Sequence, residues 1–342
     1  MRIAVDVMGA DKGPAEIIAG ALAEASSFGQ LILVGDRAEI EPLLRENSWD
    51  KHDTRVSLCH ASQVIGMAEH PLAAVRSKGD SSLVVSMRML GDREVDAVVT
   101  PGNTGAALAA GALHVGRIDL VDRPAIAAFV PNKTGRTVLI DGGASVDCRP
   151  EHLYQFAFMG SAYAETALGI KNPVVGLLNI GEESTKGNQT LRETFPLLEN
   201  SSLNFAGNVE GRQMFSGEID VVVTDGFVGN MILKSVGGFG WLLASELKSV
   251  LSENLLTRLV VAGFMRGPLR RLNARIDWRE YGGAPLLGIN GVCIIAHGAS
   301  NARAIAKAIQ LARETTRGRT VESITETLAI AFSEPNIAST SG

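Results

Sequence analysis

The sequence is short of the residues that staple, ligate and stack. It holds three cysteines, Cys59, Cys148 and Cys293, widely spaced and without a CxxC pair. Such a set excludes a disulfide framework and fits a reducing compartment. The six histidines form no HxxxH or His/Cys pattern, so no metal is expected. Aromatic residues make up 5%, too few for an evident base-stacking platform, and the net charge of -5 argues against general nucleic-acid binding. No secretory signal opens the chain, and no apolar segment reads as long enough to span a bilayer. Low-complexity linkers and fixed-period repeats are missing too, so any two lobes should be closely joined.

With 342 residues, 46% hydrophobic and 20% charged, the chain can bury a large core and should not be disordered. Strand-like runs at 3–7, 31–34, 56–59, 97–99, 137–140, 174–178, 221–223 and 292–296 alternate with helix-like stretches. The loops between them are rich in Gly, Asn, Ser, Thr and Asp, as at 100–105, 141–147, 179–189 and 297–301. This alternation predicts a doubly wound, mostly parallel α/β sheet, its loops gathered at the carboxyl edge where such sheets bind ligands. The stretch 219–234 is the clearest unit: a Val-rich strand, a turn at Thr224-Asp225-Gly226, then Gly229-Asn230 opening a helix. A strand that ends in small residues and opens a helix aims backbone N–H groups at an anion.

One segment breaks the pattern. Residues 237–276 read as helical without a strand, and 255–276 has no acidic residue but five arginines. Leu255, Leu256, Leu259, Val260, Phe264 and Met265 are apolar there, Arg266, Arg270 and Arg271 basic, and Gly267-Pro268 interrupts the helix. The expected picture is a protruding basic amphipathic hairpin.

The segments 1–14, 179–188, Asn208-Val-Glu-Gly-Arg212, 224–230, 280–290 and 296–303 together resemble the bacterial PlsX-type phosphate acyltransferases. The similarity runs in order from residue 1 to about 315, which is more specific than any single Gly-rich loop. The resemblance implies a three-layer α/β/α, isocitrate/isopropylmalate-dehydrogenase-like fold forming one catalytic unit over 1–342; within it the residues of the hairpin at 237–276 suit dimer packing over 237–251 and membrane contact over 255–272, with docking of acyl carrier protein as the alternative for the arginine-rich tip. It implies transfer of a long acyl chain from acyl carrier protein to inorganic phosphate, yielding acyl phosphate for phospholipid synthesis. It further implies a homodimer without metal or nucleotide cofactor. The expected place is cytoplasmic, peripherally associated with the anionic inner face of the cell membrane, with a downstream membrane acyltransferase as a further candidate partner.

Phosphate near neutral pH is already an oxyanion nucleophile, so the site needs positioning and electrostatics more than a strong base. Lys186, the only lysine of its loop, is the candidate charge clamp; the plainer reading is a solvated loop lysine. Asn230 is either an amide donor to phosphate and oxyanion or a helix N-cap. Asp225 either orients these groups or caps the turn, with Gly226 beside it. Asn103, Thr104 and Gly105 are a phosphate or thioester cradle, or a capped helix start. His297 could protonate the leaving thiolate or be structural, and Ser300 with Asn301 could complete the anion site or cap the last helix. Cys148 and Cys293 have no adjacent base, so direct attack by phosphate is expected. The rivals are a short-chain acyl-CoA phosphate acyltransferase and a non-catalytic membrane scaffold for lipid-synthesis enzymes. A nicotinamide dehydrogenase is disfavoured, because no GxGxxG follows the first strand.

Overall fold

The computed structural model describes residues 1–27, 29–47, 49–50, 53–251, 267 and 281–333. The apolar runs become strands of one sheet. β1 (Arg2–Asp6), β2 (Gln30–Gly35), β3 (Val56–His60) and β4 (Ala97–Thr100) come first. β5 (Ala125–Pro131) and β6 (Arg136–Ile140) form a hairpin, followed by β7 (Val175–Leu178), β8 (Phe205–Val209) and β9 (Val221–Val223). β10 (Ala284–Leu287) and β11 (Val292–Ile295) return late in the chain. The order across the sheet is β3-β2-β1-β4-β11-β10-β5-β6-β9-β7-β8.

Strand direction matters most for the site. β3, β2, β1, β4 and β11 form one parallel block, and β6, β9, β7 and β8 form another. Between them β10 is antiparallel to both neighbours, and β5 is antiparallel to β6. The second block therefore points against the first. The carboxyl ends of β1, β4 and β11 lie at one edge of the sheet, and those of β6, β9 and β7 at the other. The expectation that all the loops share one edge is corrected. Sequence periodicity does not reveal β5, β8 or β10, and β5 and β10 are the reversing strands. β5 is rich in alanine, a weak strand former, and β10 carries Pro285 inside a central strand, where proline is disfavoured.

The helices are α1 (Pro14–Glu24), α2 (Arg37–Glu46), α3 (Pro71–Ser77), α4 (Ser82–Gly91), α5 (Thr104–Ala110), α6 (Pro150–Leu168), α7 (Gln189–Glu199), α8 (Gly226–Leu251), α9 (Ala302–Arg317) and α10 (Thr320–Ser333). Proline at the first turn suits the starts of α1, α3 and α6, where its missing N–H costs no bond. Strand side chains alternate between the two faces of the sheet. On one face a single core runs across both blocks, from Ile3, Val5 and Leu33 to Val138, Ile140 and Val223, with α6 buried against it through Phe156, Phe158 and Tyr163. The other face carries two separate cores. One lies under α3, α4 and α5, the other around Leu139, Met214 and Val222. Helices on both faces make the α/β/α layering.

α8 starts on this last core through Ile232 and Leu233 and then leaves the body. Phe239 is 67% exposed and Trp241 72%. By length and composition alone this helix could cross a membrane, which corrects the expectation that no segment is long enough. Lys234, Gly237, Gly238 and Glu246 had broken up its apolar pattern. The helix opens at Gly226, well before residue 237. Leu255, Leu256, Leu259, Val260, Phe264, Met265, Arg266, Arg270 and Arg271 lie outside the described residues.

Candidate active site

At the second edge β9 stops at Val223 and α8 opens three residues later. Asp225 is the cap: its Oδ1 accepts from the Val228 N–H at 2.8 Å and its backbone oxygen from the Gly229 N–H at 3.0 Å. The capping role open to Asn230 therefore belongs to Asp225. Asn230 sits one turn into the helix, half-buried, with its amide uncommitted among the described residues.

The two glycines of this turn are demanded by packing. A Cβ on Gly229 would stand 1.9 Å from the Asp141 carbonyl oxygen, and one on Gly226 would stand 2.6 Å from Asp141 Oδ2. The loop after β6 thus lies directly on the first turn of α8, and the Gly226 N–H donates to Ser145 O at 2.7 Å. A Cβ on Gly143 would stand 3.5 Å from Asn230 Cγ, so the Asn230 amide abuts this loop. Asp141 is fully buried and accepts backbone N–H groups from Ile126 at 2.9 Å, Gly143 at 3.0 Å, Ala144 at 2.9 Å and Ser145 at 2.6 Å. Burial raises the pKa of Asp141, while these donors pull it back. The backbone nest that could have held a foreign anion is filled by the chain's own carboxyl group.

The loop after β7 is tied down from beneath. Asn179 Nδ2 donates to Lys186 O at 3.1 Å, and Asn208 Nδ2 donates to Glu183 O at 2.8 Å. Asn188 caps α7 through the Leu191 N–H at 2.9 Å. Glu182, exposed, pairs with Arg212 at 3.7 Å, and Arg212 also holds Glu210 at 2.7 Å. Lys186 is exposed, and its ammonium makes no ion pair among the described residues. β9 lies between β6 and β7, so the three loops are neighbours.

The first edge is more self-contained. Asn103 caps α5 through the Ala106 N–H at 3.0 Å, and its Nδ2 reaches Gly66 O, Met67 O and Glu69 O at 3.1–3.2 Å. Thr104 is exposed beside it, and Gly105 packs on Pro71. Asn301 caps α9 through the Ala304 N–H at 3.0 Å, and the Glu16 carboxylate takes the Ala302 N–H at 2.7 Å. A second anion there would face Glu16. His297 Nδ1 accepts from the Ala299 N–H at 3.1 Å. Ser300 is buried, its Oγ without a partner among the described residues. The structure thus gathers Lys186, Asp225, Gly226 and Asn230 at one edge. Asn103, Thr104, Gly105, His297, Ser300 and Asn301 belong to the other.

Sequence reasoning overlooked Asp6. It is buried at the end of β1 and accepts from Ser82 Oγ at 2.6 Å, Thr100 Oγ1 at 2.7 Å and the Met8 N–H at 3.2 Å. Burial raises its pKa. A carboxyl closing an otherwise apolar strand was the available signal. The thiols are poor nucleophiles: burial, with Asp141 and Asp225 nearby, pushes Cys148 up to about 12, and burial does the same to Cys293. Among the described residues no group of three or more His, Cys, Asp or Glu is placed to hold a metal.

The fold is shared with a phosphotransacetylase from Streptococcus pyogenes, at TM-score 0.61, 15% identity and 94% of each chain. It is shared also with a 4-hydroxythreonine-4-phosphate dehydrogenase from Klebsiella pneumoniae, at TM-score 0.52, 13% identity, 93% of this chain and 98% of the other. Sequence relatives are much nearer. A phosphate acyltransferase of Desulforamulus reducens is 46% identical over 331 residues, covering 96% of this chain and 97% of its own. Another, from Desulfitobacterium hafniense strain DCB-2, is 47% identical over 330 residues, covering 96% and 98%. The class is that of the acyltransferase enzymes. The match to the fatty acid synthesis protein family spans residues 1–322, and the chain belongs to that family.

Proposed function

We propose that the protein transfers an acyl group from a thioester to inorganic phosphate, releasing a thiol and an acyl phosphate. One observation carries this reading. On neighbouring loops of one sheet edge, the Lys186 ammonium and Asn230 amide are uncommitted among the described residues, while the Asp225 and Asp141 carboxyl groups beside Asn230 are taken up by backbone N–H groups of the chain. The phosphate acyltransferase relatives support it. Lys186 neutralises and holds phosphate. A phosphate oxygen attacks the thioester carbonyl, forming a C–O bond, and the Asn230 amide donates to the tetrahedral oxyanion. The C–S bond then breaks and the thiolate is protonated from water. Asp225 fixes the first turn of α8 and so the place of Asn230. No step is assigned to His297, which belongs to the other edge.

The proposed donor is a long-chain acyl-acyl carrier protein, and the product feeds phospholipid synthesis. The exposed apolar residues of α8, among them Phe239, Trp241 and Leu243, support a homodimer covering residues 237–251. The arginine-rich stretch 255–272 supports peripheral contact with anionic lipid at the cytoplasmic face. The deciding assay incubates protein, donor and phosphate and follows phosphate-dependent free thiol and acyl phosphate. Turnover with acyl-CoA alone would favour a short-chain enzyme, and lipid binding without turnover would favour a scaffold. A trapped covalent acyl adduct would reject direct attack. Unchanged vesicle sedimentation of a Leu259→Glu, Val260→Glu, Phe264→Glu variant would reject lipid contact.

A further inference from the structure

We propose that Asn179 and Asn208 are positioning residues for Lys186, two buried amides that fix where its ammonium stands. The proposal rests on the assignment of Lys186 to phosphate. β7 and β8 are paired, Leu177 opposite Asn208, and the Asn179 N–H donates to Val209 O at 2.9 Å, so both amides rise from one locked stretch of sheet. Asn208 Nδ2 holds Glu183 O, the oxygen that also accepts the Lys186 N–H at 3.1 Å. Asn179 Nδ2 holds Lys186 O, and its Oδ1 accepts from the Ile180 N–H at 2.8 Å. Lys186 is thereby gripped on both its backbone N–H side and its carbonyl side. Asn179 lies directly beneath the next residue: a Cβ on Gly187 would stand 2.7 Å from Asn179 Oδ1. Beyond Lys186 the Arg192 guanidinium donates to Gly187 O at 2.5 Å, from an exposed side chain, and the Glu182–Arg212 pair is solvent-exposed too, a kind of pair that holds little.

Packing alone does not account for Asn208. Its side chain is 4% exposed, and its Oδ1 is buried without a partner among the described residues. An apolar side chain of that size would fill the space without burying an unpaired oxygen. What Asn208 supplies is a donor aimed at the turn that presents Lys186. For a charge clamp, a displacement of about 1 Å is enough to cost on the order of 100-fold in rate.

The test is steady-state kinetics of the full-length protein with long-chain acyl-acyl carrier protein and inorganic phosphate. Asn208→Ala removes one tie. Asn179→Leu keeps the size and loses the donor to Lys186 O without adding a charge beside phosphate, and its urea midpoint guards against loss of folding. Each should raise KM for phosphate about ten-fold and leave KM for the acyl donor within about two-fold. In a Lys186→Ala background, neither should add more than about two-fold, because the residue they position is gone. Effects that multiply with Lys186→Ala, an equal rise in both KM values, or an unchanged phosphate KM would overturn the proposal. If Lys186→Ala alone leaves phosphate kinetics at wild type, the assignment of Lys186 falls first, and this proposal with it.

Discussion

The two edges of the sheet are built from the same kinds of residue, yet they spend them differently. At the first, Asn103 and Asn301 cap helices, Glu16 occupies the start of α9, and Asp6 collects two hydroxyls. At the second, Asp225 and Asp141 take up backbone N–H groups, and the exposed Lys186 ammonium and half-buried Asn230 amide have no partner among the described residues. Small polar residues after a strand are therefore no guide by themselves. What separates a cap from a site is whether the partner is already inside the chain.

The strongest way to break this comparison is kinetic. Lys186→Ala should lower kcat/KM for phosphate by about 100-fold or more, the scale of losing one preorganised electrostatic group. An equal loss from Asn301→Ala would show that the first edge also binds the reacting groups. The next effect is on stability. Gly229→Ala forces a methyl group into the Asp141 carbonyl and should cost about 3 kcal/mol in urea unfolding, by separating α8 from the loop after β6. A neutral result would mean that the two elements part easily.

Asp6→Ala strands two buried hydroxyls and should cost about 2 kcal/mol, with turnover of the folded enzyme unchanged. Its pH dependence has a definite sign. Burial raises the Asp6 pKa above the ordinary 3.8, so the folded state holds the proton more tightly than the unfolded chain. That contribution is complete below the unfolded value and fades as pH rises through the folded one. Asp6→Asn should therefore flatten the decline of stability from acid towards neutral pH, as read from urea midpoints. The smallest effect is Asn301→Ala, about 1 kcal/mol for a lost N-cap, with phosphate kinetics intact.

Much of this architecture could be read from the residues, and what escaped did so for physical reasons. The Val221-Val222-Val223 run announced β9, since β-branched residues suit a strand covered on both faces. The start of α8 was ambiguous, because Asp225 and Asn230 are both good caps. Tertiary packing of the Asp141 loop on Gly226 and Gly229 decided between them, and no local pattern encodes that contact. β5 and β10 were invisible for their alanines and Pro285, so the reversal of direction they cause was invisible too. Lys186 stood out in its loop. The grip on it did not, because Asn179 and Asn208 lie far apart in sequence and meet only through paired strands.

The placement of β11 between β4 and β10 has a consequence for biosynthesis. Ala97 of β4 pairs with Val292, so β4 emerges from the ribosome long before its neighbour is made. Until then it is an open apolar strand edge, the kind of surface that recruits wrong partners. The strands of the block that presents Lys186 pair with one another within residues 136–223, but β5 beside them waits for β10 in the same way. The nascent chain can thus pair the strands of its second block early, while β4 and β5 both keep an open edge until the last segments are translated.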